Sequence, residues 1–249
     1  MFTKKILFEK VPFLKREELF EPVPAIKEIP DWYKNATRFL EKENLGTFKF
    51  CPPFLEIMKH GYVFKNHSDI MILREEDKDQ IKYKMFYPEQ SHIYELEPLV
   101  GEHKASQVIE MPIVQKWESY NALKYFNYFF IKTPPGYSSM FLNATRNDLN
   151  DDFYFFEAIV DTDKYHEVNF PFIINWSKIK GVADNGKITK KYVFKKGEPM
   201  VTLIPFKRTN FKKEITVNSI SKDVKSITSK MATTFNHFYR NLYDKIKFK

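Results

Sequence analysis

Residues 157–175, EAIVDTDKYHEVNFPFIIN, decide how this chain is read. The second half is a run of strand-forming residues, and the first half sets Asp161 and Asp163 two apart at its head. Val, Ile and Phe fit a pleated, half-buried surface, so a strand is expected. The aspartates admit two readings. Aspartate is at home where a strand begins, because its short side chain bonds to nearby backbone, so the pair reads as a turn. Alternatively the two carboxylates are positioned at a ligand site. Side chains two apart on a strand share a face, and paired carboxylates on one face invite a hard cation such as Mg²⁺ or Ca²⁺.

Outward from this stretch the pattern continues as a β series over 153–160, 165–175, 188–194 and 199–206. Asn185-Gly186 predicts a hairpin turn between the middle pair, since both residues tolerate positive φ. Upstream, NYFFIKTPPGYSSMFLN reads as two strands broken at Pro134-Pro135-Gly136. SDIMILREEDKDQIKYKMFY reads as two strands joined by a charged turn at 75–79, and SHIYELEP and IEMPIVQKW as shorter ones. CPPFLEIMKHGYVF predicts a Pro-initiated helix, a stop at Gly61 and then a strand.

The two ends differ. Pro22, Pro24 and Pro30 fall within nine positions and predict an extended arm up to Asp31, packed through Val23, Ile26 and Ile29. Asp31 is expected to cap a short helix carrying Trp32, Tyr33, Ala36 and Phe39–Leu40, with Trp32 largely buried as its anchor. From Ile220 onwards, apolar residues recur every three or four positions through Val224, Ile227, Met231, Phe235, Phe238, Leu242 and Ile246. That spacing defines one face of a long helix, which either closes the β core or forms a seam between subunits. Many short strands with few helices between them point to a sandwich or barrel rather than a βαβ sheet. The expected fold is therefore mainly β: a β-clip or sandwich-like antiparallel domain with a Pro-rich N-terminal arm and a long C-terminal helix. The expected boundaries are 1–50 for the arm and its short helix, 51–211 for the β core, and 212–249 for the basic amphipathic helix.

Composition narrows the function classes. A chain of 249 residues can bury a substantial core. Its 25 Phe, 14 Tyr and 3 Trp are the anomaly, at 17% of the chain. A single cysteine, Cys51, rules out an internal disulfide and suits a reducing compartment. No 18-residue apolar run occurs, and MFTKKILFEKVPF lacks a signal-peptide core, so neither a membrane nor secretion is expected. The net charge of +8 is uneven: residues 178–249 hold 18 Lys and Arg against 5 Asp and Glu. This is either a lysine-rich solvated surface or a face for nucleic acid or an acidic partner. Only Arg146, Arg208 and Arg240 are arginines after residue 140, and bidentate base readers are usually Arg, so sequence-specific nucleic-acid binding is not expected.

No motif with a settled chemistry appears. The six His never pair at HxH or HxxxH spacing, and Cys51 has no CxxC partner, so no zinc site is expected. His67 and Asp69 stand at the H-x-D spacing that non-haem iron sites use alongside a distant His, but that spacing is also common in loops. There is no P-loop, GxGxxG or GxSxG, and few Gly-rich turns to cradle a phosphate.

Three blocks carry a resemblance: TPPGYSSMF, EAIVDTDKYHEVNFPFIIN and FKKGEPMVTLIPF. In order and spacing they resemble the dUTPase-like proteins, the trimeric β-clip family that includes dCTP deaminases. Pro135-Gly136-Tyr137 resembles that family's Pro-Gly strand entry, and Asp161-Thr162-Asp163-Lys164-Tyr165 its Ile-Asp-x-Asp-Tyr motif with one extra residue. Lys195 to Val201 resembles its closing strand, and Asn175 falls near the family's Asn at a strand end. The resemblance implies that Asp161 orients the attacking water for pyrophosphate hydrolysis, that Tyr165 lies under a nucleobase, and that Asp163 contacts ligand. The family's Pro-Arg-Ser-Gly phosphate loop is replaced by Asn143-Ala-Thr-Arg146-Asn, which leaves Arg146 alone to meet phosphates. Its Gln in the closing block is Thr202, its hairpin Gly is Ala158, and a basic helix stands in place of a Gly-rich C-terminal arm.

A second resemblance covers most of the chain up to Phe211. PAIKEIPDWYKN, CPPFLEIMKHGY, TPPGYSS, IVDTDKYHEVNFPF and GEPMVTLIPFKR together resemble a family of uncharacterised proteins from marine bacteriophages and some marine bacteria. That resemblance implies a phage-type protein of the host cytoplasm or the virion, and it supplies no activity to transfer. The expected function is therefore an oligomeric phage-type structural or interaction protein without catalysis and without cofactor, whose partners are copies of itself or other phage-type proteins. The alternative is a nucleotide-binding protein or a dUTP-type pyrophosphatase, which would take Mg²⁺.

Overall fold

The computed structural model describes residues 4–11, 19–40, 45–77, 80–86, 99–144 and 152–215. The chain divides into two compact units, Met1–Val23 with Gly61–Arg208, and Pro24–His60 with Thr209–Lys249. In chain order the first strands are β1 (Leu7–Lys10), β2 (Val23–Pro24), β3 (Phe39–Leu40), β4 (Leu45–Gly46), β5 (Tyr62–Lys65), β6 (Ile70–Asp77) and β7 (Gln80–Phe86). Then come β8 (Val100–Glu102), β9 (Tyr120–Tyr125), β10 (Phe129–Lys132), β11 (Tyr137–Asn143) and β12 (Phe153–Phe155). The series closes with β13 (Ala158–Val160), β14 (Phe170–Asn175), β15 (Gly181–Asp184), β16 (Lys187–Phe194) and β17 (Pro199–Lys207). The helices α1 (Asp31–Asn35), α2 (Pro52–Lys59) and α3 (Pro112–Gln115) are short.

The larger unit is mainly β, and its sheets are antiparallel. One sheet runs β13-β11-β17-β5 with Val23 at its edge, a second β12-β14-β9-β8, and a third β15-β16-β6-β7, while β1 pairs with β10. Their inner faces meet in an aromatic core. Trp176, Phe172, Ile70, Ile72, Leu123 and Leu203 are wholly buried there. Phe172 sits 4.9 Å from Phe155 and 5.3 Å from Phe194, ring centre to ring centre, and Phe153 sits 5.1 Å from Phe194. Edge and tilted packings of this kind add to the area these rings remove from water, which accounts for the high Phe content.

Two backbone positions explain how strands are entered. Gly61, after α2, has φ +87°, and a Cβ there would lie 1.9 Å from the carbonyl oxygen of Leu203. Only glycine lets β5 start this close to β17. Asn185 and Gly186 have φ +47° and +78°, the two positive values of a type I′ turn. The hairpin is as expected, but its first arm is the short β15, which pairs with β16. Residues 165–175 are not its partner: β14 begins only at Phe170 and pairs with β9 and β12.

Other expectations are corrected. IEMPIVQKW holds helix α3 rather than a strand, because Pro112 takes the first helical position, where its missing N–H costs nothing. The strands β6 and β7 run up to Asp77 and from Gln80, which leaves less turn than the charge pattern implied. Residues 91–98, read as part of a strand, lie outside the described residues, as does the C-terminal helix expected from Ile220.

The smaller unit contains α1, α2 and the β3–β4 pair. Its arm is not extended throughout: Ala25–Glu28 forms a 3₁₀ turn after Pro24. The prolines exclude a long α-helix but not one tight turn. Ala25 is buried and Val23 and Ile29 are half-buried, while Ile26, the third residue expected to pack, is exposed. Asp31 lies within α1 and does not cap it with its side chain. Phe39–Leu40 is a strand instead of a continuation of that helix. Tyr33 is buried and Trp32 only half so. Both rings pack on Phe48 and Phe54 at centroid distances of 5.7–6.4 Å.

Candidate functional site

The Asp-Thr-Asp segment forms a tight turn after β13. The carbonyl oxygen of Asp161 accepts the N–H groups of Lys164 and Tyr165, both at 2.9 Å. Thr162 is wholly buried, with its hydroxyl 2.8 Å from both Thr133 Oγ1 and Ser139 Oγ. The Thr133 N–H donates to the Thr162 carbonyl at 3.2 Å. With Thr162 pinned inward to β11 and the end of β10, its two neighbours meet a single cation, Arg208. A turn brings them together, not the pleat of a strand.

Arg208 follows β17, whose Lys207 stands opposite Tyr137 of β11. Its own N–H donates to Gly136 O at 2.8 Å, which fixes the base of the side chain beside the turn. Nη1 lies among four oxygens: Asp163 Oδ1 at 2.9 Å, Asp161 Oδ1 at 2.9 Å, Ser138 Oγ at 3.0 Å and Tyr137 O at 3.1 Å. Nη2 donates to Asp163 Oδ2, so that carboxylate is held by both prongs of the guanidinium. Gly136 N–H donates to the same Oδ2 at 2.8 Å. Ser138, itself buried, accepts from Arg208 and donates its own hydroxyl to Asp161 Oδ1 at 2.6 Å.

The electrostatics follow from these contacts. The Arg208 fork, helped by the Gly136 amide, pulls the Asp163 carboxyl down to about 2. The Ser138 hydroxyl, and then Arg208, hold Asp161 below the usual carboxylate range. Asp163 in turn raises the guanidinium further above its ordinary value. The side chains of Asp163, Arg208 and Asp161 are 6%, 32% and 48% exposed. Asp163 is thus an enclosed, ionised anchor, while Asp161 keeps an open side towards solvent.

Of the residues singled out in the sequence, Asp161 and Asp163 come together. Tyr165 stands on the same turn with an exposed ring. Arg146 lies outside the described residues. Sequence reasoning missed Arg208, which ends the block GEPMVTLIPFKR, and the part played by Ser138 and Gly136 in TPPGYSS. Only the register that sets Tyr137 opposite Lys207 carries that information.

His67 and Asp69 do not act as a metal pair. His67 is 5% exposed, and its Nδ1 accepts the Phe20 N–H at 3.1 Å among the rings of Phe20, Tyr125, Tyr128 and Phe129. Burial lowers its pKa to about 4. Asp69 instead accepts the Lys196 N–H at 2.8 Å and lies 3.8 Å from the Lys195 ammonium. Among the described residues no group of three His, Cys, Asp or Glu is placed to hold a metal ion. No helix among them is long and apolar enough to cross a membrane.

No family model matches this sequence, and no curated protein matches it. The solved structures it is similar to include dUTPases of phages. One is an Asp-to-Asn mutant of the dUTPase from phage phi11 of S. aureus, whose structure shows a structural Mg(II) ion. It shares 10% identity at TM-score 0.37, over 87% of this chain and 99% of that one. Another is a Gly-to-Ser mutant of the Staphylococcus bacteriophage 80alpha dUTPase with dUpNHpp, at 10% identity and TM-score 0.37 over 88% and 94% of the two chains. A likeness at this level carries no argument about activity. The mainly β class rests on the sheets themselves.

Proposed function

We propose that this chain is a phage-type structural or interaction protein that works as an oligomer without catalysis, in the host cytoplasm or the virion, and that the Asp161–Arg208–Asp163 cluster serves as a clamp. The observation that carries this is the saturation of Asp163: two guanidinium prongs and a backbone N–H occupy its oxygens. A general base needs a free lone pair within reach of the proton it takes, and a pKa near the working pH. Asp161 shares the same oxygen between Ser138 and Arg208, and both carboxyls are held low. The cluster ties β11, the end of β17 and the turn after β13 together, which is a structural task. The sequence resemblance to marine phage proteins supports the phage-type setting.

A second reading, nucleotide binding or dUTP-type pyrophosphate hydrolysis with Mg²⁺, is favoured by one observation. The half-open Asp161 side chain and the exposed Tyr165 ring share one turn. Incubation of the purified protein with Mg²⁺ and dUTP or dCTP separates the two. The clamp reading expects no hydrolysis above background. Hydrolysis that vanishes in Asp161→Ala, while circular dichroism shows an intact fold, would replace it with the second reading.

A further inference from the structure

Seven buried side-chain polar atoms among the described residues lack a hydrogen-bond partner, and six of them belong to residues gathered around Trp176: Arg74 Nε and Nη1, Glu76 Oε1, Ser119 Oγ, Asn121 Oδ1 and Trp176 Nε1. Buried polar groups are nearly always paired, so such a concentration calls for a chemical reason. Arg74 is 6% exposed and Trp176 wholly buried.

The neighbourhood is tied together by register. Arg74 on β6 stands between Tyr83 of β7 and Lys190 of β16. The Tyr83 ring lies 6.2 Å from that of Trp176, and Lys190 Nζ donates to the Trp176 carbonyl at 2.9 Å. On the other side the backbone N–H of Trp176 donates to the Ser119 carbonyl, and Asn121 pairs with Ile174. Glu76 Oε1 lies 3.0 Å from Arg74 Nε but off the N–H axis, so it answers the charge of the guanidinium without filling its donors. Arg74 and Lys190 against Glu76 leave one positive charge over; the next carboxylate, Glu102, stands exposed on β8 and reaches the cluster through Tyr83.

We propose that Arg74 Nη1 and Trp176 Nε1 are the donors of a small-carboxylate site beneath the β6–β7–β16 sheet. A carboxylate is acceptor-only, carries the missing negative charge, and accepts two N–H groups at once. Asn121 Oδ1 and Ser119 Oγ are free to accept from the rest of such a ligand, as an amino acid's ammonium would require.

The test uses the full chain with Trp32 and Trp117 replaced by Phe, so that a single ¹⁵N-indole resonance reports on Trp176. Sodium formate and glycine are titrated separately at constant ionic strength. A saturable shift of the indole resonance with formate is expected, together with a rise in melting temperature. Tighter binding of glycine would assign the carboxylate to an amino acid, and weaker binding to a free acid. Arg74→Lys keeps the charge but loses the planar pair of donors, and should weaken binding roughly tenfold or more. Where that variant does not fold, Trp176→Phe, which removes the N–H donor along with the five-membered ring, is followed by melting temperature: its baseline falls, and the rise on adding formate should be mostly lost. No saturable response to either compound, or one unchanged in the variants, overturns the assignment and leaves water as the partner of these atoms.

Discussion

Acidifying the folded protein from about pH 7 to about pH 4 should expose the cost of keeping His67 neutral. The ring sits among Phe20, Tyr125, Tyr128 and Phe129, and it is 5% exposed. Its Nδ1 already accepts the Phe20 N–H, so protonating that nitrogen would break the bond as well as bury a charge. The folded pKa is about 4 against 6.5 for the free side chain. Between these values the unfolded chain binds the proton and the folded chain does not. Stability is therefore intact above 6.5 and falls as the pH drops towards 4, with no further loss from this group below that. At about 1.4 kcal/mol per pKa unit, the full loss is about 3 kcal/mol. Urea denaturation of the protein and of His67→Asn across this range measures it. Asparagine preserves an acceptor for the Phe20 N–H and does not titrate. The variant starts less stable because the smaller side chain leaves space, but its pH slope should be flatter by about the amount given. His103, also lowered by burial, contributes equally to both and cancels. Parallel slopes for the two proteins would refute the argument, because they would mean that His67 charges without penalty.

Two further outcomes follow from the geometry. Asp163 is depressed to about 2, so its contribution is present above its unfolded value of 3.8 and is lost as the pH falls through about 2. Asp163→Asn should flatten the acid limb of the stability curve there, and an unchanged limb in acid denaturation would count against the clamp. Gly61→Ala places a Cβ against the Leu203 carbonyl at a φ of +87°, so β5 and β17 must separate. A melting temperature within a degree or so of the parent would show that the entry to β5 has room for a Cβ.

How far the fold could be read from sequence depended on whether the controlling contact was local. Asn185-Gly186, the Pro52 start of α2 and the Gly61 stop are short-range choices of φ, and each is where the pattern placed it. IEMPIVQKW departs from its strand pattern because one proline at a helix start outweighs its β-branched residues. The turn at 161–165 marks the limit more sharply. Two aspartates flanking a threonine are visible as a turn, and that is the local half of the answer. Why both are acids depends on Arg208, which lies 45 positions beyond Asp163 and arrives only because β17 pairs with β11 in one register. Shifting that register by one residue would carry the guanidinium to the other face of the sheet. The chemistry of the Asp161–Asp163 pair is thus fixed by strand pairing rather than by the motif in which it was first seen. A motif resemblance that stops at Asp161 therefore leaves out the cation beside it, Arg208, whose Nη1 lies 2.9 Å from Asp161 Oδ1.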